Sequence, residues 1–151
     1  MTYLFKPNEI PGFKKKRKKH GPSEYKRAHD HLWSVLSLFI RLREKRRSNG
    51  KCFICGKRNI EVAYHFIPRR WSRWFFEPDN LCGACSSCNY GEMIQRGPAH
   101  DDTVRAAHIR MVGEERVKYL EEHKRDEWKK SAAELREMAQ YFKNLMELGK
   151  L

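Results

Sequence analysis

Two Cys-x-x-Cys pairs constrain this chain more than any other feature. Cys52-x-x-Cys55 and Cys85-x-x-Cys88 lie 29 residues apart, and together they offer the four thiolates of a closed tetrahedral zinc site. Each pair fits one tight turn. The interval has room for two strands and a long loop inside the metal-closed unit. The chain has five cysteines, so Cys82 is left over. An odd count with knuckle spacing fits metal binding in a reducing compartment better than a disulfide framework.

Thirty-two Lys and Arg stand against nineteen Asp and Glu, a net charge of +13, and such an excess favours a polyanionic partner, most simply nucleic acid. The opening Met1-Thr-Tyr-Leu-Phe lacks the apolar core of a signal peptide. The apolar-rich run from Leu32 to Leu42 is broken by Ser34, Ser37 and Arg41 and is too short to span a bilayer. The expectation is an intracellular, cytoplasmic protein that does not enter a membrane.

Residues 1–22 read as a flexible arm, with Pro7, Pro11, Gly12, Gly21 and Pro22 against regular structure. Its block of six cations, Lys14, Lys15, Lys16, Arg17, Lys18 and Lys19, is expected to contact phosphates and release counterions. Residues 23–151 read as one domain: a helix over 23–49, a metal-closed core over 50–97 and a helical extension over 98–151. Ser23 caps the first helix, and Asn49-Gly50 stops it. Its apolar residues exceed one stripe, with Trp33, Leu38 and Ile40 off the main face. The second apolar side awaits either the C-terminal helices or a homodimer partner.

Alternation predicts a strand from Asn59 to Ile67, with Ile60, Val62, Tyr64 and Phe66 on one side and Glu61, Ala63 and His65 on the other. Arg69, Arg70 and Arg73 then interleave with Trp71, Trp74, Phe75 and Phe76, a pattern suited to gripping a nucleic-acid backbone. The aromatics serve equally well to close a small core. A helix is expected from about Cys88, a short one from Asp101 or Asp102 to Met111, a charged one from Glu114 to Lys130, and a last one opened by the capping box Ser131-x-x-Glu134. His100, His108 and His123 are read as surface residues, as are His29 and His31.

Phosphodiester hydrolysis requires a base to activate water and a cation to stabilise the developing charge. His65 is the candidate base. Asn89 and Glu92, one turn apart on a helix, offer oxygens to a hard ion such as Mg2+ or Mn2+.

The order His65, Asn80-Leu81-x3-Cys85-x2-Cys88-Asn89, with Cys52-x2-Cys55 upstream, resembles the HNH endonucleases built on a treble-clef zinc fold. Cys88-Asn89-x2-Glu92 is similar to the endonuclease VII group. Tyr64-His-Phe-Ile-Pro-Arg69 and Phe76-x-Pro-x-Asn80 are similar to the lambdoid phage NinG (Rap) recombination proteins. The resemblance covers roughly residues 30 to 145. It implies an α+β, mostly helical fold around a ββα-metal core with a structural zinc. It also implies a structure-selective, metal-dependent endonuclease acting on branched DNA such as Holliday junctions, with His65, Asn89 and Glu92 catalytic. One departure stands out: many HNH enzymes carry Asp immediately before the histidine, and here that residue is Tyr64. A non-catalytic junction-binding recombination protein is the alternative expectation.

Overall fold

The computed structural model describes residues 21–69, 72–95 and 98–151, and leaves the side chains of residues 72 and 91–101 outside that description. The six-cation block of the arm and Arg70 therefore lie outside the described residues.

A long helix, α1 (Glu24–Arg47), forms one wall. The Ser23 hydroxyl accepts from the Lys26 N–H at 3.1 Å, which fixes its start. At its end Asn49 and Gly50 both take positive φ, and the Gly50 N–H reaches back to the Lys45 carbonyl at 2.9 Å, a conformation that glycine adopts without steric cost. The last helix, α5 (Ala132–Glu147), opens with the expected capping box. It runs parallel to α1: Arg136 pairs with Glu24 near both starts, and Arg46 Nη1 donates to the Gly149 carbonyl at 3.0 Å near both ends. Leu135, Ala139 and Phe142 of α5 close on Leu32, Leu36, Phe39 and Ile40 of α1. Thus α5 covers one of the two apolar flanks of α1, the flank for which the sequence also allowed a dimer partner.

The other flank meets an antiparallel hairpin of β1 (Val62–His65) and β2 (Leu81–Ala84), in the register Val62–Ala84, Ala63–Gly83, Tyr64–Cys82 and His65–Leu81. The pleat sends alternate residues to opposite faces. Ala63 and Leu81 join the α1–α5 core. Val62, Tyr64, Cys82 and Ala84 join a second cluster containing the knuckle cysteines. The strand is shorter than the expected 59–67. Beyond it the Glu61 N–H bonds the Ala84 carbonyl and the Phe66 N–H the Asn80 carbonyl, both at 2.9 Å. A separate bridge joins Lys51 to Asn59 across the first knuckle, and Ile60 packs over Gly83 on the α1 side.

Gly83 marks the close approach of hairpin to helix. A Cβ there would lie 2.8 Å from Ile60 Cδ1 and 2.9 Å from Glu44 Cβ. Ile60 is buried and Glu44 Cβ is fixed to α1, so neither yields cheaply. Gly83→Ala is expected to destabilise the fold by about 1–3 kcal/mol through overpacking, read as a lower midpoint in denaturant with unchanged slope.

Helix α2 (Ser86–Gln95) follows β2 directly and begins two residues before the expected Cys88. Glu61 Oε2 accepts from the Ser86 N–H at 2.7 Å, which supplies its N-terminal cap from beside β1. Helix α3 (Pro98–Val112) starts at Pro98, before the expected aspartates, since proline's fixed φ and missing N–H suit a first helical position. Helix α4 (Glu114–Glu122) ends well short of Lys130. Tertiary packing is the reason: Trp128 reaches Phe76 at 5.7 Å and lies against the α1–α5 core, which a continued helix would not permit. Among the described residues no helix is long and apolar enough to cross a membrane.

Candidate metal centre and histidine site

The first knuckle hangs between α1 and β1. The Gly56 N–H closes it on the Cys52 carbonyl at 2.8 Å, and the Phe53 N–H bonds the Gly83 carbonyl at 2.9 Å. The second knuckle passes from the end of β2 into the first turn of α2, where Arg58 reaches across to the Ser87 hydroxyl. These ties bring Cys52, Cys55, Cys85 and Cys88 together, with all four sulfurs within 4.8 Å of one another. Tetrahedral thiolates at the usual zinc bond length stand about 3.8 Å apart, so the four side chains fit such an ion. Their acidities diverge. Burial and the neighbouring Cys85 sulfur push the Cys88 thiol up. For Cys55, burial is outweighed by the Arg58 and Lys57 backbone N–H groups, and its thiol falls to about 6. Four sulfurs this close can all be thiolates only around a cation. The site therefore has the geometry of a structural metal centre. Cys82 is buried outside it, opposite Tyr64 in the hairpin.

His65 ends β1 and faces α1. Its Nε2 lies 3.0 Å from the Phe75 carbonyl oxygen. A carbonyl only accepts, so Nε2 carries the proton and Nδ1 holds the lone pair of the neutral ring. The ring stacks on Trp33 of α1, with centroids 4.8 Å apart and planes 24° from parallel, and Phe75 tilts against it at 4.9 Å. Only 6 % of the residue is exposed. Burial, helped by the nearby Arg69 charge and opposed by the Phe75 hydrogen bond, lowers its pKa to about 4. The imidazole is therefore neutral at pH 7.

Asn80 sets the loop that supplies this carbonyl. It is fully buried. Its Oδ1 accepts from the Ile67 N–H at 2.7 Å, and its Nδ2 donates to the Ile67 and Trp74 carbonyls at 3.2 and 2.9 Å. Three of its hydrogen bonds thus tie both ends of the 67–74 loop beside β2 and place Phe75 over His65. A second clamp comes from α1, where Arg43 Nη2 donates to the Pro78 and Leu81 carbonyls at 3.2 and 3.0 Å. The buried Glu44 carboxylate balances Arg43 at 2.7 Å, which satisfies a charge that would otherwise be costly to bury.

The candidate residues divide between two faces. Tyr64 is buried toward the cysteine cluster and His65 toward α1. Asn89 lies in the first turn of α2, one residue past Cys88, and among the described residues no hydrogen bond joins it to His65. Glu92 is on α2, but its side chain lies outside the described residues. Among the described residues no second group of three or more histidine, cysteine or carboxylate side chains converges as the cysteines do. Arg69 is exposed, with its guanidinium 4.9 Å from the Trp33 ring centre and 5.9 Å from that of Phe75. Arg73 lies on Trp74 at 4.9 Å. Trp74 and Phe76 are core residues, in line with the bland reading of that aromatic run.

His108 corrects the sequence expectation of a surface histidine. It is 1 % exposed and stacked on Phe66 at 4.4 Å, with Nε2 2.6 Å from the Asp79 carbonyl oxygen. The cause is tertiary: Val104, Ala107 and His108 form the buried stripe of α3, and a lone histidine in a charged helix carries no sequence mark of such packing. Arg43 and Glu44 are likewise hidden within the helical pattern of α1.

Comparison of the chain with protein-family models, curated proteins and solved structures finds no match.

Proposed function

We propose that this protein is a metal-dependent DNA endonuclease of the HNH type that acts on branched recombination intermediates. One observation carries the reading: His65 is neutral, in a single tautomer, with its Nε2–H on a backbone carbonyl and Nδ1 carrying the lone pair. That is the state a general base needs in order to take a proton from water. The four-cysteine site is a structural zinc site, and the knuckle–hairpin–helix unit around it is a treble clef. Asn89 and Glu92 would hold a Mg2+ or Mn2+ ion, which when bound supplies positive charge to the scissile phosphate. Arg69, exposed beside the His65 stack, contacts a phosphate, as do Arg70, Arg73 and the Lys14 to Lys19 block.

The second reading, a zinc-stabilised protein that binds junctions without cutting them, draws on two observations. Tyr64 replaces the aspartate of the motif and is buried toward the cysteines, and His65 is closed in by aromatic rings.

The deciding experiment incubates the protein with four-way, flap and linear DNA, with and without Mg2+ or Mn2+. Metal-dependent cleavage of the branched forms is the expected result. Tight junction binding with no cleavage in either metal selects the second reading. Binding itself should weaken steeply with salt, by about 0.9 in the logarithmic slope per phosphate contact. Deleting residues 1–20 should flatten that slope for every DNA shape alike; an unchanged slope would reduce the arm to a solubilising tail.

A further inference from the structure

Trp33 packs against the edge of the α1–α5 core. It is half-buried on α1, yet its ring lies nearly parallel to His65, whereas Phe75 meets both rings at steep angles, 51° to His65 and 67° to Trp33. The imidazole is thus held by two different contacts. The Phe75 carbonyl fixes one edge through a hydrogen bond, and the indole covers one flat face.

We propose that Trp33 is the positioning residue for His65: flat against the imidazole, it holds the Nε2–H on the Phe75 carbonyl, and so leaves Nδ1 as the basic atom of the ring. The catalytic consequence rests on the nuclease reading, while the geometry can be tested without DNA. Among the described residues, the charged and titratable groups around His65 are Arg69 from the segment after β1 and, beyond Phe75, His29 from α1. His29 stands behind the Phe75 ring at 4.9 Å and is paired with Asp30. Leu81 faces it from β2 and carries no charge. Arg69 and the burial both act against an imidazolium, and the indole supplies part of that burial.

Arg69 extends the assembly outward. Its guanidinium lies over the indole that covers the base, in the manner of a cation on an aromatic face. A phosphate that draws Arg69 away therefore touches the same stack, which links substrate contact to the cover of the base.

The test is a titration of the His65 ring resonances by NMR in the metal-loaded protein. The wild-type midpoint is expected near 4 with a single Nε2–H tautomer. In Trp33→Ala the midpoint should rise toward the ordinary histidine value of about 6.5, and the nitrogen shifts should report mixed tautomers. Trp33→Phe, which restores a flat ring, should recover most of both effects. If Trp33→Ala does not fold, Trp33→Leu fills the same side of α1 without a flat ring and carries the same comparison. In the cleavage assay the acid limb of kcat should move by the same amount. A midpoint raised to about 6 lowers the neutral fraction at pH 5 about tenfold. An unchanged midpoint and tautomer in the Trp33 variants overturns the inference whatever the enzyme does. A wild-type protein that cuts no DNA but shows the NMR shift removes the nuclease reading and leaves Trp33 as the residue that positions His65.

Discussion

Cys85→Ser is expected to strip the metal from the four-cysteine site and unfold the knuckle–hairpin–helix unit, whereas Cys82→Ser keeps both. A structural zinc contributes about 10–16 kcal/mol of apparent binding free energy in small metal-folded units. A whole domain is stable by only about 5–15 kcal/mol, so losing one ligand is enough to unfold the segments that the ion joins. Those segments are otherwise thin. The hairpin has four residues per strand, and a two-stranded ribbon is marginal alone. Cys52 and Cys85 are buried, so a serine at either site leaves a hydroxyl that cannot replace a thiolate. Cys82 is equally buried but faces Tyr64 across the strands, outside the cluster. Its replacement by serine should cost about 1–3 kcal/mol for a polar group in an apolar site. Metal analysis of the purified variants, with thermal unfolding before and after chelator, separates the two outcomes. Metal retained in Cys85→Ser and lost from Cys82→Ser would put Cys82 in place of Cys85 among the four ligands.

The parts of this fold that were legible in the sequence are those set by local chemistry. Ser23, Asn49-Gly50 and the Ser131–Glu134 box each act within a few residues, and the ends of α1 and the start of α5 followed from them. The cysteine frame was legible because a metal imposes fixed spacing. What stayed hidden depends on contacts between distant segments. Trp128 ends α4 early because Phe76 attracts it from the other side of the chain. Arg43 and Glu44 look like two more charges in the last turns of a helix, and only the loop carbonyls of Pro78 and Leu81 give them a place inside. For the candidate site, His65 could be chosen from its position on a strand. Its tautomer and its cover could not, because Phe75 and Trp33 lie ten residues after it and thirty-two before it. The pleat also carries a lesson about Tyr64. Adjacent residues on one strand serve opposite faces, so a substitution just before His65 alters the metal side of the hairpin and leaves the imidazole's own surroundings unchanged.

His65→Ala is expected to lower cleavage of branched DNA by about 10²–10⁴ while leaving junction affinity nearly as it was. A base acts on water as the transition state forms and contributes little to binding of the ground state. The alanine variant also empties the space between Trp33 and Phe75 and leaves the Phe75 carbonyl without its donor, so lost stability could mimic lost chemistry. His65→Gln separates the two effects. Its amide N–H can still donate to that carbonyl, its volume is similar, and it has no basic atom to accept a proton from water. Equal loss of rate in both variants, with the glutamine form as stable as wild type, assigns the loss to the base. Full activity in His65→Gln would show that the imidazole is only a packed ring. The reaction would then have to draw its base from elsewhere, and the burial of His65 beneath Trp33 would be an element of the fold alone. A wild-type protein that grips junctions and never cuts them would carry the same meaning one step further. In that case the pair Tyr64 and His65 would serve the fold and the grip on DNA, with no part in chemistry.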